Sequence, residues 1–259
     1  MPDSGSTVRH PFLSLLLLLL LIFIGGIIFT VLGAVIGGVV YGLPDLLKFF
    51  SGDLVSNLSL TKLIQITSSL GMFVIPALVF ARLENRDWKK YLKLNPIVPI
   101  LFLLTVLLMF FSGPLMELSV EINQGMKLPG FLRGLEEWMK LKEDQAALLT
   151  KQLLTMNTIG SLLVNLIMLA VIPAIGEEFI FRGCFQKLFK QLFKNHHVAI
   201  WFTAILFSAI HMQFYGFIPR MLLGAMFGYL LFWSNTIWLP ILAHFLNNAT
   251  AVITAYVYQ

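Results

Sequence analysis

The sequence predicts an all-α integral membrane protein, a polytopic bundle of about seven or eight transmembrane helices with one amphipathic helix at the membrane interface. Of its 259 residues, 58% are hydrophobic and only 12% are charged, whereas a soluble domain usually carries about 25% charged residues. Apolar runs of roughly eighteen residues or more, the length that indicates a membrane span, recur along the chain. These two features exclude an ordinary soluble domain.

Seven apolar stretches are the expected spans. The first is too long for the roughly 7–15-residue core of a cleaved signal peptide, so we expect it to be retained, after a disordered cytoplasmic tail at residues 1–10. No internal repeat or linker divides the chain. One compact bundle is therefore expected, with an N-terminal part at 11–155 and a second membrane part at 156–259. The spans are predicted at about 12–40, 62–82, 96–116, 157–181, 198–214, 217–234 and 237–257.

Basic residues predict the orientation. Five of the twelve residues at 82–93 are Lys or Arg, and four more follow span four at Arg182, Lys187, Lys190 and Lys194. Seven spans put both segments on one side, and cytoplasmic loops are rich in Lys and Arg, so the N-terminus is expected in the cytoplasm. No stripe of basic and aromatic residues exists for nucleic acid, which we do not expect as a partner.

The segment 130–152 has the pattern of an interfacial amphipathic helix. Phe131, Leu135 and Trp138 recur at helical spacing and charged residues occupy the rest of the helix surface, as in helices that lie along a membrane. A gate over the substrate path is the alternative role. The Glu136-Glu137 pair in this segment is explained by solvated charge.

A second pair of carboxylates follows eighteen mostly apolar residues. An ionisable side chain inside a membrane helix costs at least about 2.5–3.5 kcal/mol, so retained ones indicate function. Glu178 and Arg182 are four residues apart and can form an ion pair on one helix face. Glu177 points about 100° away and is free to act as a general base.

Two further polar clusters lie on the later spans. A hairpin near Asn195 would place Glu177 and His211 at similar distances, roughly 23–27 Å, from its tip on antiparallel helices, provided that Gly183 does not break the first helix. His244 and Asn248 project from one face of the last span and suit an oxyanion. His211, His244 and a carboxylate could alternatively bind zinc.

Other chemistries fit less well. His-Glu-x-x-His and Gly-x-Ser-x-Gly are absent, and every Asp lies in the tail, a loop or the amphipathic segment. A transporter or proton relay also keeps Glu and His in its spans, but the first three spans here carry almost no charge. A non-catalytic immunity or scaffold protein is the other alternative.

Three motifs follow one another along the chain, namely Glu177-Glu178-x-x-x-Arg182, Phe207-x-x-x-His211 and His244-x-x-x-Asn248. Together they resemble the CAAX-type prenyl endopeptidase and bacteriocin-processing family, also called CPBP or Abi. The resemblance covers about residues 155–257, with Phe-Arg-Gly after the carboxylate pair, and marks 156–259 as a catalytic membrane domain. It implies an intramembrane endopeptidase of a family classed with the metallopeptidases.

The resemblance also implies residue roles. Glu177 would be the general base, His211 would help it to hold a water, and His244 with Asn248 would stabilise the oxyanion. Supporting site structure would come from Glu178, Arg182 and Phe207. No cofactor is preferred; a zinc ion, if present, would be held by Glu177, His211 and His244.

Some members of the family act in bacteriocin immunity and many have no known substrate. The expected partners are therefore membrane lipid and a membrane-associated peptide or protein substrate, and a prenylated protein is not the default expectation. The expected location is a bacterial plasma membrane.

Overall fold

A computed structural model describes residues 9–258 of the chain as helices joined by short connections. No strand occurs within this range, which confirms the all-α fold class. The predicted tail lies outside the described residues except for Arg9 and His10. The helices are α1 (Pro11–Tyr41), α2 (Leu43–Phe50), α3 (Leu58–Glu84), α4 (Trp88–Tyr91), α5 (Pro99–Gln124), α6 (Arg133–Leu153), α7 (Ile159–Phe193), α8 (His196–Ala209), α9 (Phe217–Ser234) and α10 (Trp238–Val257).

All seven predicted spans coincide with helices. Across residues 9–258, five helical segments are long and apolar enough to cross a membrane: α1, α3, α5, α7, and α9 together with the 3₁₀ turn that precedes it. The other two predicted spans are α8 and α10. Helix α8 has 14 residues and reaches about 21 Å at 1.5 Å per residue, short of the roughly 30 Å hydrocarbon core. Helix α10 carries His244 and two asparagines, which lower its hydropathy.

Helix α7 extends well past the predicted end of span four. It contains two π-helical segments, Ile167–Val171 and Phe179–Phe185; such widened turns occur frequently at functional sites. The helix continues through Gly183, so the condition for the predicted hairpin is met. Lys194 then takes a left-handed conformation (φ 53°) and Asn195 caps α8 by accepting from two backbone N–H groups. The hairpin tip is therefore where the sequence placed it.

The core is built around the second half of α7. Phe181, Cys184 and Leu188 are buried there against Phe80 of α3 and Leu92, which follows α4. The outer helices differ, since many of their apolar side chains are exposed, as lipid requires. Phe110 and Phe111 of α5, for example, are 75% and 71% exposed.

Glycines bring neighbouring helices into close contact, as small residues do in membrane helix bundles. A Cβ added at Gly33 of α1 would collide with Thr67 of α3, and one added at Gly228 of α9 would lie 2.8 Å from Ile200 of α8. The small side chain is required at both crossings.

The connection before α5 and the end of α7 lie at one end of the bundle. Arg9 pairs with Glu84 at the end of α3 (Nη1–Oε1 3.4 Å), and Lys93 lines one cavity together with Lys187 and Lys190. The two basic segments thus share a face, as their sequence predicted. Its cytoplasmic location stays a prediction.

Candidate active site

Glu178 and Arg182 form the ion pair that their spacing predicted. Arg182 Nη1 donates to Glu178 Oε1 at 2.8 Å, and both side chains are fully buried. The second guanidinium nitrogen, Nη2, donates to the carbonyl of Gly224 in α9 at 3.0 Å. The Nδ1 atom of His244 lies 2.8 Å from Glu178 Oε1. This one ion pair therefore ties α7 to both α9 and α10.

Aromatic rings enclose the buried guanidinium. The centre of the Arg182 group lies 4.6 Å from the ring centroid of Phe207 and 5.4 Å from that of Phe227. Rings at this distance attract a cation through their π electrons, more strongly where water is excluded. Phe207 thus packs against the arginine, and the supporting role that the family resemblance implies for it stays a prediction.

Glu177 faces away from the arginine and toward two imidazoles. Its Oε2 atom lies 3.9 Å from Nε2 of His211 and 3.9 Å from Nε2 of His244. The Glu177 side chain is 12% exposed. These distances exceed a direct hydrogen bond, although they suit contact through one shared water.

The partners of the two histidines determine which ring nitrogen carries hydrogen. Nδ1 of His211 lies 2.7 Å from the carbonyl oxygen of Phe207; a carbonyl only accepts, so Nδ1 donates. Nδ1 of His244 donates to Glu178 in the same way. In each histidine the other nitrogen, Nε2, is the one that lies 3.9 Å from Glu177 Oε2, and in a neutral imidazole this atom has a free lone pair.

His211 does not lie in a helix, which corrects the span predicted at 198–214. Helix α8 ends at Ala209, and the backbone N–H of His211 bonds to Ser208 at 3.3 Å. In a continuing helix the backbone N–H of His211 would donate to the carbonyl of Phe207. Here the His211 imidazole donates to that carbonyl instead. Met212 then adopts a left-handed conformation (φ 54°), and the chain turns with the ring aimed at Glu177.

One cavity of about 560 Å³ joins the predicted catalytic residues. Glu177, His211, His244 and Asn248 all line it, whereas Glu178 and Arg182 are buried behind. The volume falls within the roughly 300–1,000 Å³ range of small-molecule pockets. The structure therefore brings all four residues together.

Asn248 is held in place by its side-chain amide. Nδ2 donates to the carbonyl of Leu169, in the first π segment of α7, at 2.9 Å. Oδ1 accepts from Nδ2 of Asn247 at 3.1 Å. One amide hydrogen of Asn248 is thus engaged, and the second is the donor available to an oxyanion.

Sequence reasoning missed four polar residues of this cavity, namely Arg220, Gln213, Asn247 and Thr150. Arg220 donates to Gln213 Oε1 through Nη2, and its Nη1 is buried without a hydrogen-bond partner. Arg220 is the single charged residue of the apolar stretch 217–234. An ionisable residue retained in an apolar stretch indicates function; this argument identified Glu177 and applies equally to Arg220.

The predicted zinc alternative finds suitable atoms but not a suitable spacing. A carboxylate and two imidazoles are the donors that zinc favours. In the part of the chain that the structure describes, no three or more His, Cys, Asp or Glu side chains are close enough to hold a metal ion. Zinc binding by these residues stays a prediction.

Comparison with known proteins agrees with the motifs. Residues 159–250 match the family model described as Type II CAAX prenyl endopeptidase Rce1-like. An uncharacterised protein of Bacillus subtilis (strain 168), YpbD, is 26% identical over 89 residues, which are 33% of this chain and 42% of that relative. The chain thus matches less than half the length of this curated relative. No solved structure matches significantly. The predicted resemblance to CAAX-type prenyl endopeptidases is confirmed, and residues 159–250 are the part of this integral membrane protein that carries it.

Proposed function

We propose that this protein is an intramembrane endopeptidase in which Glu177 and His211 activate a water molecule. The observation that carries the proposal is the convergence of two imidazole Nε2 atoms on Glu177 Oε2, each at 3.9 Å, in one cavity. The match to a prenyl endopeptidase family over residues 159–250 supports a protease of the CAAX type.

The two hydrogens of a water molecule determine the proposed roles of Glu177 and His211. A water has two hydrogens, so it can donate to Glu177 Oε2 and to the lone pair of His211 Nε2 together. Glu177 accepts one proton as the oxygen of the water attacks the peptide carbonyl carbon. The same proton then passes from Glu177 to the leaving nitrogen as the C–N bond breaks, which restores the carboxylate.

His244 is left as a donor. Both hydrogens of the water are then engaged, so His244, whose Nδ1–H is held by Glu178, acts on the oxyanion instead, to which Nε2 donates when both ring nitrogens carry hydrogen. It donates to the oxyanion of the tetrahedral intermediate, together with the second amide hydrogen of Asn248. Removal of one such donor commonly costs about 10²–10³-fold in rate.

The proposed substrate is a peptide or protein associated with the membrane, in keeping with a site on membrane helices. The proposed location is a bacterial plasma membrane with the N-terminus in the cytoplasm. The reaction is proposed to need no metal, and nucleic acid is not a proposed partner.

The test is cleavage of a peptide library by the full-length protein purified in detergent, with and without a chelator. Wild-type protein should cleave, His211→Ala should not, and the matched variant His197→Ala, which changes an exposed histidine bonded to Tyr229, should cleave normally. Cleavage retained by His211→Ala would reject the proposal. Loss of wild-type cleavage in chelator, with metal found in the purified protein, would reject the metal-free mechanism.

A further inference from the structure

A second cavity, here called the basic cavity, lies at the hairpin end of α7. Its volume is about 140 Å³, below the roughly 300–1,000 Å³ of ordinary ligand pockets, so it suits a group of few atoms. Four cationic side chains line it: Lys93, Lys187, Lys190 and Arg182, whose Nη1 atom bonds to Glu178. His196 lines it as well.

The lysines of the basic cavity have no acidic partner. Among residues 9–258, no carboxylate forms an ion pair with Lys93, Lys187 or Lys190. Nζ of Lys187 lies 3.3 Å from the ring centroid of Tyr91, a cation–π contact that attracts the charge without neutralising it. Burial and the charge of Lys190 lower the pKa of Lys93. Like charges kept this close repel each other unless an anion joins them.

Unpartnered polar atoms line the same cavity. Tyr91 Oη and Arg182 Nε are buried and have no hydrogen-bond partner. A buried donor left unsatisfied costs about 1–3 kcal/mol, and such atoms are rare in native proteins. Both can donate to an anion. Gln186 Oε1 is a third unpartnered atom here; its amide nitrogen donates to Gly228 at 3.2 Å, so its oxygen is an acceptor that suits an anion bearing a hydroxyl.

Backbone contacts hold Lys93 in position. The N–H of Ile237 donates to the carbonyl of Lys93 at 3.0 Å, and Thr236 Oγ1 donates to the carbonyl of Asn95 at 2.6 Å. The Asn95 side chain donates back to the carbonyl of Asn235 at 2.6 Å. Tertiary contacts therefore hold the segment that carries Lys93 against the segment before α10.

We propose that the basic cavity binds a phosphate group, either in the headgroup of an acidic lipid or as free phosphate. Three lysines and two unpartnered donors supply charge-assisted hydrogen bonds to its oxygens, while Gln186 accepts from a phosphate hydroxyl. The face that carries the cavity is the one predicted to be cytoplasmic, where anionic lipids concentrate. The site stands apart from the catalytic cavity and needs no peptidase activity.

The test follows thermal unfolding of the full-length protein by tryptophan fluorescence. In uncharged detergent the protein is titrated with inorganic phosphate or with sulfate at matched ionic strength. In nanodiscs, phosphatidylcholine alone is compared with phosphatidylcholine plus phosphatidic acid. A ligand that binds only the folded state raises the unfolding temperature. The variant Lys93→Gln/Lys187→Gln is matched by Lys140→Gln/Lys142→Gln on the exposed surface of α6, and Lys190→Gln serves if the first pair does not fold.

Phosphate, phosphatidic acid or both should raise the unfolding temperature of the wild type and of the α6 control. The half-saturating concentration should rise about tenfold or more in the Lys93/Lys187 variant. Stabilisation confined to phosphatidic acid assigns the phosphate to lipid, and stabilisation confined to inorganic phosphate assigns it to the soluble ion. The proposal is overturned by no stabilisation, by equal stabilisation from sulfate, or by equal loss in the two lysine variants.

Discussion

Two Glu-Glu pairs in this chain have the same local sequence chemistry and opposite surroundings. On α6, Glu136 accepts from the backbone N–H of Leu128 at 3.2 Å, and Glu137 pairs with Arg133 while its side chain stays 68% exposed. On α7, Glu178 is fully buried and Glu177 is 12% exposed. Identical dipeptides therefore need not have related roles.

The difference lies in what surrounds each carboxylate. An exposed ion pair contributes about 0–1 kcal/mol because water already solvates both charges. A buried charge must be paired and hydrogen-bonded, since breaking such a pair is strongly destabilising. Glu178 meets this requirement through Arg182 and His244. Among residues 9–258, Glu177 forms no ion pair with a lysine or an arginine, which is why we assign it the chemistry.

The largest expected effect is on catalysis at the buried pair. Glu177→Gln keeps the shape of the side chain but removes the base, so kcat/KM for a cleavable peptide should fall about 10²–10⁴-fold. The change should leave the elution profile in size-exclusion chromatography unaltered. Glu136→Gln is the control and should keep full activity. Equal activity in the two variants would abolish the distinction between the pairs.

The next effect is on stability. Glu178→Gln leaves Arg182 as a buried cation without its carboxylate, so the free energy of unfolding should fall by about 3–5 kcal/mol. Denaturant titration in mixed micelles measures it. Glu137→Gln, which breaks an exposed pair four residues apart, should change the same quantity by less than about 0.5 kcal/mol. A buried variant as stable as the exposed one would contradict our account of the ion pair.

A smaller change in stability is expected from glycine-to-alanine substitutions, which compare the close packing around α7 with the open surface of α6. At Gly183 of α7, an added Cβ would lie 2.7 Å from Leu92 Cδ2, whereas at Gly134 of α6 it would meet nothing within 4 Å. Gly183→Ala should destabilise by about 1–3 kcal/mol through overpacking. Gly134→Ala should be neutral or stabilise by up to about 1 kcal/mol through helix propensity. Thermal unfolding of both variants shows whether each substitution lowers or raises the stability.

The smallest effect is expected from removing both charges of the Glu136-Glu137 pair on α6. Glu136→Gln/Glu137→Gln should leave cleavage within twofold of wild type, because neither carboxylate lies at the catalytic cavity. Initial cleavage rates at saturating and at low peptide concentration measure kcat and kcat/KM separately. A large fall in kcat/KM with constant kcat would instead support the alternative of a substrate gate at the amphipathic segment.

Local energetics explain what could be predicted without coordinates. Apolar length and low charge specify helices in lipid, and spans such as 217–234 agree with the observed helix. The Glu178–Arg182 pair is an i,i+4 contact within one helix, so spacing alone predicts it. The position of Lys194 and Asn195 at a hairpin follows from turn chemistry in the same way.

Long-range packing decided the rest. His244 bonds to Glu178 from 66 residues away, and the imidazole of His211 reaches Glu177 only because α8 ends two residues earlier. The basic cavity combines Lys93 with residues of α7 and α9; the distribution of Lys and Arg predicted one common side for the basic segments but not one common cavity. By itself the sequence determined the class of the protein, the order of its helices and the residues able to do chemistry. Tertiary structure alone decided which polar atoms of separate helices meet, because such contacts depend on helices packed around one core rather than on neighbours along the chain.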